Sequence, residues 1–360
     1  MGGGLTDMQA LEVRVGRAAA RRLAAEGWHP ELMAGLIGAS GGPKWLILGH
    51  LDRALHRLML QHRQQPLKAV GSSIGSWRHA LLAQDDPVAA IDRFEDVYLR
   101  QTYSSARPDI AEVTAASRDM LLTALGEQGA RAVAEHPWFQ SYIVTARGRG
   151  LTGRTDGPGL ALGLGLAAVG NTATRARKHH ALERPGQGRP GAGAIPSLLA
   201  GFQTEYVDLS EQNVASALLA SGAIPYLFEG VCDVPGGPRG AYWDGGIIDY
   251  HFDLQALPQD GVWLYPHFGN RVTRGWFDKF LPWRAGRQPN PDQLILLCPS
   301  EAFLASLPKG KIPDRRDFGR MSEPERMRYW RHCVAESQRL AEEFEQLVLG
   351  DDPLRGTVLI

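Results

Sequence analysis

The first part of the chain alternates between short apolar runs and segments with helical spacing. Leu11 to Val15 alternates apolar and charged positions, which predicts a half-buried strand, and Arg17 to Glu26 then predicts an Ala/Arg-rich helix ended by Gly27. The apolar run from Leu32 to Ile37 predicts a second strand. After a glycine turn, leucines recur at helical spacing up to about Arg63, which predicts a second helix.

The same unit is repeated immediately downstream. Leu67 to Val70 predicts a third strand, and Trp77 to Leu82 predicts the helix that follows its turn. Consecutive β-α units form parallel strands, and the turns that follow such strands gather at one edge of the sheet. We therefore expect any chemistry carried by these turns to lie at that edge.

The remainder of the chain continues this mixture of elements. Pro87 to Glu135 predicts helices, and Ser322 to Leu349 predicts one long amphipathic helix docked on the sheet. Arg184 to Gly193 is rich in glycine and proline, so we expect it to lack regular structure, as a surface loop or as part of a lid. Further strands are predicted at 140–145, 202–209, 240–243, 262–265 and 294–297. Together these elements predict an α/β fold, a three-layer α/β/α sandwich with a mainly parallel central sheet.

Composition favours a globular enzyme and argues against nucleic acid as a partner. The 360 residues are 44% hydrophobic, enough for a large core, and the 39 basic residues balance the 39 acidic ones, so no net charge attracts nucleic acid. Cys232, Cys298 and Cys333 are far apart and have no metal-ligand spacing, which predicts reduced cysteines in the cytoplasm. The start of the chain shows no export signal, and we expect a cytoplasmic protein.

Two predicted turns carry the pattern Gly-x-Ser-x-Gly, one at 38–42 and one at 71–75. A serine in this pattern lies on a sharp turn between a strand and a helix, with its hydroxyl held at the sheet edge. In the first turn, Gly41 and Gly42 leave two successive amides free to point into a cavity, and the N-terminus of the helix that begins at Pro43 favours negative charge. We therefore predict that the first turn stabilises an anion and that Ser73, in the second, is the nucleophile.

A serine nucleophile needs a base, and the sequence offers two kinds. The eleven histidines have no arrangement that selects one, although His251 keeps a histidine-based triad open. Asp244 follows a short apolar strand, and Gly245 and Gly246 let its backbone approach another turn at the same edge. Because a free aspartate is a weak base, burial beside Trp243 would have to raise its pKa.

The three features together resemble the patatin-like phospholipase family. These are the glycine loop with a basic residue, the Gly-x-Ser-x-Gly about thirty residues later, and Asp-Gly-Gly downstream, and the segment from Val214 to Phe228 is also similar. The resemblance covers roughly residues 32–250. It implies a patatin-like α/β fold and ester hydrolysis by a serine-aspartate dyad.

When the family's roles are carried over position by position, the resemblance implies a role for each residue of the site. Ser73 and Asp244 become the catalytic dyad, Gly71 and Gly75 flank the nucleophile elbow, and the oxyanion hole consists of the amides of Ser40, Gly41 and Gly42.

The resemblance also implies the reaction and its setting. Lipid acyl esters are the expected substrates, and neither a metal nor another cofactor is needed. We expect one hydrolase domain over residues 1–360, in which residues 251–360 complete the family core. Arg274 to Arg284 mixes aromatic and cationic residues as interfacial segments do, which predicts a transient contact with a membrane surface and a peripheral location.

Two other function classes remain open at this stage. One is a serine-dependent esterase or thioesterase that acts on a soluble acyl donor. The other is a non-catalytic lipid-binding protein on the same scaffold, which is conceivable because Ser40 stands where the family has a glycine. The presence of both Ser73 and Asp244 argues against the second.

Overall fold

The structure is a computed structural model with side chains. It describes residues 9–105, 107–173, 182–188, 204–254, 257–259, 261–281, 283 and 291–360.

Mixed α/β architecture surrounds one large, mostly parallel sheet. The strands lie in the order β11-β1-β10-β9-β2-β3-β4-β5-β6, while β8 pairs with β4 and with β7. From β10 to β4 all neighbours are parallel, whereas β1 with β10, β4 with β5, β4 with β8, and β7 with β8 are antiparallel. The strands are β1 (Leu11–Val15), β2 (Met33–Gly38), β3 (Leu67–Ser72), β4 (Phe139–Gly148), β5 (Leu182–Gly188), β6 (Thr204–Asp208), β7 (Val231–Cys232), β8 (Ala241–Asp244), β9 (Val262–Pro266), β10 (Leu294–Pro299) and β11 (Val358–Leu359).

Helices flank this sheet, as expected for the α/β/α class. They are α1 (Arg17–Glu26), α2 (Gly49–Leu55), α3 (Ile74–Leu82), α4 (Pro87–Leu99), α5 (Ile110–Leu125), α6 (Gly129–Glu135), α7 (Gly157–Ala173), α8 (Glu211–Gly222), α9 (Glu301–Ser306), α10 (Asp317–Arg320), α11 (Glu323–Glu336) and α12 (Gln338–Leu349). Short 3-10 helices occur, among other places, at Gly42–Leu48, Gly245–Ile247 and Trp276–Phe280.

The central strands consist of nearly continuous apolar residues because helices cover the sheet on both faces. Every residue of β9 and of β10 is buried, and β2 and β3 each have only one residue that is not fully buried. The carboxyl ends of β2 and β3 are adjacent, with Gly38 opposite Gly71 in the register. The two serine-containing turns therefore lie side by side, as the sequence predicts.

Two expectations from the sequence are wrong. Residues 184–188 of the glycine- and proline-rich segment belong to β5, because pairing with β4 on one side and β6 on the other fixes the backbone; residues 189–193 lie outside the described residues. The tail forms two helices, because the first of them ends at Ser337, whose hydroxyl donates to the Val334 carbonyl at 2.7 Å. The docking of the tail is as expected, since Trp330, Leu340 and Phe344 are all fully buried.

Candidate active site

Ser73 occupies a strained turn between β3 and α3. Its φ is 53° and its ψ is −133°, a conformation that a residue with a Cβ adopts only at a cost of about 1–3 kcal/mol. The Ser73 amide donates to the Ser221 Oγ at 2.8 Å, and Ser221 in turn donates to the Val144 carbonyl at 2.7 Å. A buried hydrogen-bonded bridge from α8 to β4 thus holds the turn in place.

Glycines allow the two serine-containing turns to touch. A Cβ on Gly75 would lie 2.1 Å from the Gly38 carbonyl oxygen, and a Cβ on Gly71 would lie 2.6 Å from the Ser76 nitrogen. Both distances are far below van der Waals contact. Gly71 and Gly75 are therefore required by the close approach of backbone to backbone at this point.

The Asp244 carboxylate meets the Ser73 hydroxyl. Ser73 Oγ donates to Asp244 Oδ2 at 2.7 Å, and the Gly246 amide donates to Asp244 Oδ1 at 2.7 Å. Both side chains are buried, with Ser73 6% and Asp244 5% exposed. Burial raises the pKa of Asp244 to about 6, although the hydrogen bonds from Ser73 and Gly246 oppose this shift.

Asp244 reaches this position at the end of β8. The strand pairs with β4, so that Asp244 lies opposite Thr145, and the Asp244 amide donates to the Ala223 carbonyl at 2.8 Å. A Cβ on Gly245 would lie 2.1 Å from the Val144 carbonyl oxygen, and one on Gly246 would lie 2.5 Å from Ser40 Oγ. The glycine pair is needed because the Asp turn packs directly on the other elements of the site.

The glycine loop at 40–42 lies beside this pair but differs from the expectation at one residue. The Ser40 amide donates to the Tyr250 carbonyl at 2.9 Å, and Ser40 Oγ lies 2.7 Å from Ser72 Oγ. The amide of Ser40 is thus already engaged in the fold, contrary to the predicted role as an anion donor.

Gly41 and Gly42 remain as candidate donors. Within the described part of the chain neither of their amides donates to another group. Gly42 has a φ of +56°, which is readily accessible only to glycine, and it begins the helical segment Gly42–Leu48, a 3-10 helix that leads into α2. Two adjacent amides at a helix start suit the binding of negative charge.

His251, the histidine that keeps a triad open, has its Nδ1 engaged elsewhere. His251 Nδ1 accepts from the Thr273 amide at 3.0 Å and lies 3.2 Å from His267 Nε2. Burial lowers the pKa of His251 well below its usual value. The hydrogen bond of the Ser73 hydroxyl goes to Asp244, and none of the hydrogen bonds of His251 reaches it.

A cavity of ≈ 270 Å³ opens onto Ser73. Gly42 and Pro43 line it beside the serine, and its walls are mainly apolar, with contributions from α3, α5 and the segment after α8. Trp77, Met120, Leu219 and Phe228 are among these walls. The cavity has the chemistry of a site for an acyl chain next to the Ser73 hydroxyl.

Cationic side chains that the sequence does not single out as site residues also surround the pair. Arg315 lines the same cavity as Ser73, and its Nη2 atom would lie 3.3 Å from a Cβ on Gly42. Lys279 Nζ lies 3.4 Å from the centre of the Tyr250 ring. Both residues lie far along the sequence from the Gly-x-Ser-x-Gly motif, so no local pattern marks them.

An α/β sheet that presents a serine elbow beside a cavity is an architecture typical of hydrolytic enzymes. The sequence profile described as patatin-like phospholipase matches residues 40–251, more than half of the chain. The chain therefore belongs to the patatin-like phospholipase family, as the sequence motifs indicate. It is a lipid acyl hydrolase, an enzyme that acts on ester bonds.

Other comparisons are more distant. The crystal structure of VipD from Legionella pneumophila is similar, with a TM-score of 0.36 and 13% identity, over 91% of this chain and 72% of that one. No curated protein sequence matches the chain.

Proposed function

We propose that the protein cleaves acyl esters of lipids, of the phospholipase A or lysophospholipase type, through a Ser73-Asp244 dyad. The observation that carries the proposal is the buried 2.7 Å hydrogen bond from Ser73 Oγ to Asp244 Oδ2. A carboxylate with a pKa of about 6 is a better proton acceptor than an exposed aspartate and is still mostly ionised at neutral pH. Both properties favour its use as a general base.

Two steps complete the proposed reaction. In the first, Ser73 Oγ bonds to the ester carbonyl carbon while its proton moves to Asp244, and the alcohol then leaves with that proton. In the second, Asp244 takes a proton from water, the resulting nucleophile attacks the acyl-enzyme, and the acid is released as the proton returns to Ser73. The chemistry proceeds with these residues and water alone.

The oxyanion hole of this proposal consists of the Gly41 and Gly42 amides. Their freedom from other partners among the described residues supports the role, and each such donor is worth about a hundred- to a thousand-fold in rate. We assign Ser40 a positioning role instead, because its hydroxyl links the loop to Ser72, whose hydroxyl donates to the Asp249 carbonyl at 2.6 Å.

We propose that the substrate comes from a membrane surface. The protein is then cytoplasmic and binds peripherally to that membrane. Trp276, Phe280 and Trp283 are 41%, 67% and 58% exposed, although burial is the commoner fate of such aromatics. Helix α7 adds Leu162 and Leu166, which are 57% and 58% exposed. None of the helices in the described parts of the chain is long and apolar enough to cross a bilayer.

Substitution of the proposed dyad tests the function. We expect Ser73→Ala and Asp244→Asn each to lower kcat on a short-chain ester by at least about a thousand-fold, and Ser40→Ala to cause a smaller loss. His251→Ala is the control for a histidine-based triad and should keep most of the activity. Circular dichroism of every variant checks folding. Full activity in Ser73→Ala, or loss in His251→Ala with retention in Asp244→Asn, would refute the dyad.

A further inference from the structure

Three cationic side chains form a group near the site, and one of them, Arg315, lines its cavity. Lys44 lies two residues after the glycine loop, with its Nζ 4.9 Å from the centre of the Phe268 ring. Lys279 lies on the Tyr250 ring, and Arg315 lies beside Gly42. Lys279 and Arg315 lie outside the segment 40–251 that matches the family. They are therefore properties of this chain that membership of the family does not assign.

The positive charge of this group is only partly compensated, by Asp314 and Asp244. In the described part of the chain, the Arg315 guanidinium forms no hydrogen bond or ion pair, whereas its neighbour Arg316 is paired with Asp314 at 3.0 Å. The other nearby carboxylate, Asp244, already accepts hydrogen bonds from Ser73 and Gly246. The unpaired guanidinium of Arg315 thus lines the cavity beside Ser73.

The cations also bear an energetic cost that a bound anion would relieve. Although part of the Lys279 side chain is exposed, its pKa is lowered to about 7, mainly by burial of the ammonium. The charges of Lys44 and Arg315 contribute to this shift, and those of Asp244 and Asp314 oppose it. Burial likewise lowers the pKa of Lys44. Like charges that lie close together are unfavourable, and an additional anion among them would stabilise all three.

We propose that Arg315 and Lys279, supported by Lys44, bind the phosphate group of an acylated glycerol phosphate and so select it over neutral acyl esters. The assignment rests on the proposed function, because it places the ester carbonyl at Ser73. The planar fork of arginine matches phosphate oxygens in a bidentate manner, and a lysine beside it adds a point charge. The phosphate would lie next to Gly42, a few bonds from the ester.

A selectivity ratio measures this role. We compare kcat/KM for a 1-acylglycerol 3-phosphate and for the monoacylglycerol with the same acyl chain, using the full-length protein. The wild type should prefer the phosphate, and Arg315→Gln should lower the preference by about ten- to a hundred-fold, the value of a charge-assisted hydrogen bond. Lys279→Met should lower it as well. Arg320→Gln is the matched control, because it removes an exposed arginine that does not line the cavity.

Binding to the Ser73→Ala protein separates this inference from the proposed function. Calorimetry should show that dodecyl phosphate binds more tightly than inorganic phosphate or dodecanoate, and that adding Arg315→Gln weakens the binding of dodecyl phosphate. This result would support the phosphate site even if no ester were cleaved. Equal binding of dodecanoate, or equal binding of inorganic phosphate, would overturn the assignment to an acylated phosphate. An equal loss of kcat/KM on both esters in Arg315→Gln would also overturn it, while leaving the hydrolytic function intact.

Discussion

At the scale of single residues, burial converts a weak acid into a usable base. Asp244 is enclosed by the core around Trp243, and among the described residues its carboxylate accepts hydrogen bonds from Ser73 and Gly246. Desolvation penalises the charged form more than these donors stabilise it, and the pKa rises from 3.8 to about 6. The same burial that costs stability at neutral pH thus supplies basicity.

The pH dependence of catalysis follows from this shift. Because the ionised form of Asp244 accepts the proton, kcat/KM on a soluble ester should be constant above the pKa of about 6 and fall about tenfold per pH unit below it. Initial rates over this range measure the midpoint.

A second soluble ester with a different leaving group serves as the control for that profile. The midpoint should be the same for both substrates, because it belongs to the free enzyme. A profile that stays flat down to the pKa of an ordinary aspartate would contradict a buried general base.

At the scale of elements, α7 and the segment Trp276–Phe280 are in contact, and the apolar side chains that both expose make up the proposed membrane-binding face. Asn171 of α7 donates to Asp278 Oδ1 at 2.8 Å and ties the two together. All of the residues in α7 are uncharged, and its inner side packs with Ile247 and Ile248, directly after the Asp turn. The face is thus continuous with the element that carries Asp244.

Charge introduced on this face tests membrane contact. We expect the double variant Leu166→Glu and Phe280→Glu to bind vesicles of phosphatidylglycerol and phosphatidylcholine at least about tenfold more weakly, because each apolar side chain loses its burial in lipid. Co-sedimentation measures the bound fraction.

The chain offers a matched control for this experiment. Leu349 is 67% exposed, as is Phe280, but it ends α12. Leu349→Glu should bind vesicles like the wild type, and all variants should hydrolyse a soluble ester equally. Unchanged vesicle binding in the double variant would exclude this face as the contact.

At the scale of the whole molecule, the two ends of the chain extend the sheet built by the family segment. Strand β9 pairs with β2, and β10 pairs with β9 and β1, so residues beyond 251 extend the same sheet. Arg315 and Lys279 come from this later part. These contacts support the proposal that residues 1–360 act as one hydrolase domain.

Much of this arrangement could be predicted from the sequence, because it follows from local pattern. Apolar runs before glycine turns identify β2 and β3, and parallel strands place their turns at one edge. The pairing of Ser73 with Asp244 could be proposed from the glycines around each residue, since both turns need close backbone approach.

The remainder depends on contacts that no local pattern encodes. The Ser73 amide donates to Ser221 on a distant helix, and the Ser40 amide donates to the Tyr250 carbonyl. The Gly-x-Ser-x-Gly motif reveals neither hydrogen bond. Strand β5 forms from a glycine- and proline-rich segment because strands on both sides pair with it. In each of these cases, the packing of distant elements determines the contact that forms.

The most direct test of the central claim is the site of covalent modification by a fluorophosphonate. Peptide mass spectrometry of the labelled wild type should place the adduct on Ser73, and Asp244→Asn should react much more slowly because its amide cannot accept the serine proton. Ser73→Ala should remain unlabelled. An adduct on Ser40, or undiminished labelling of Ser73→Ala, would contradict the account.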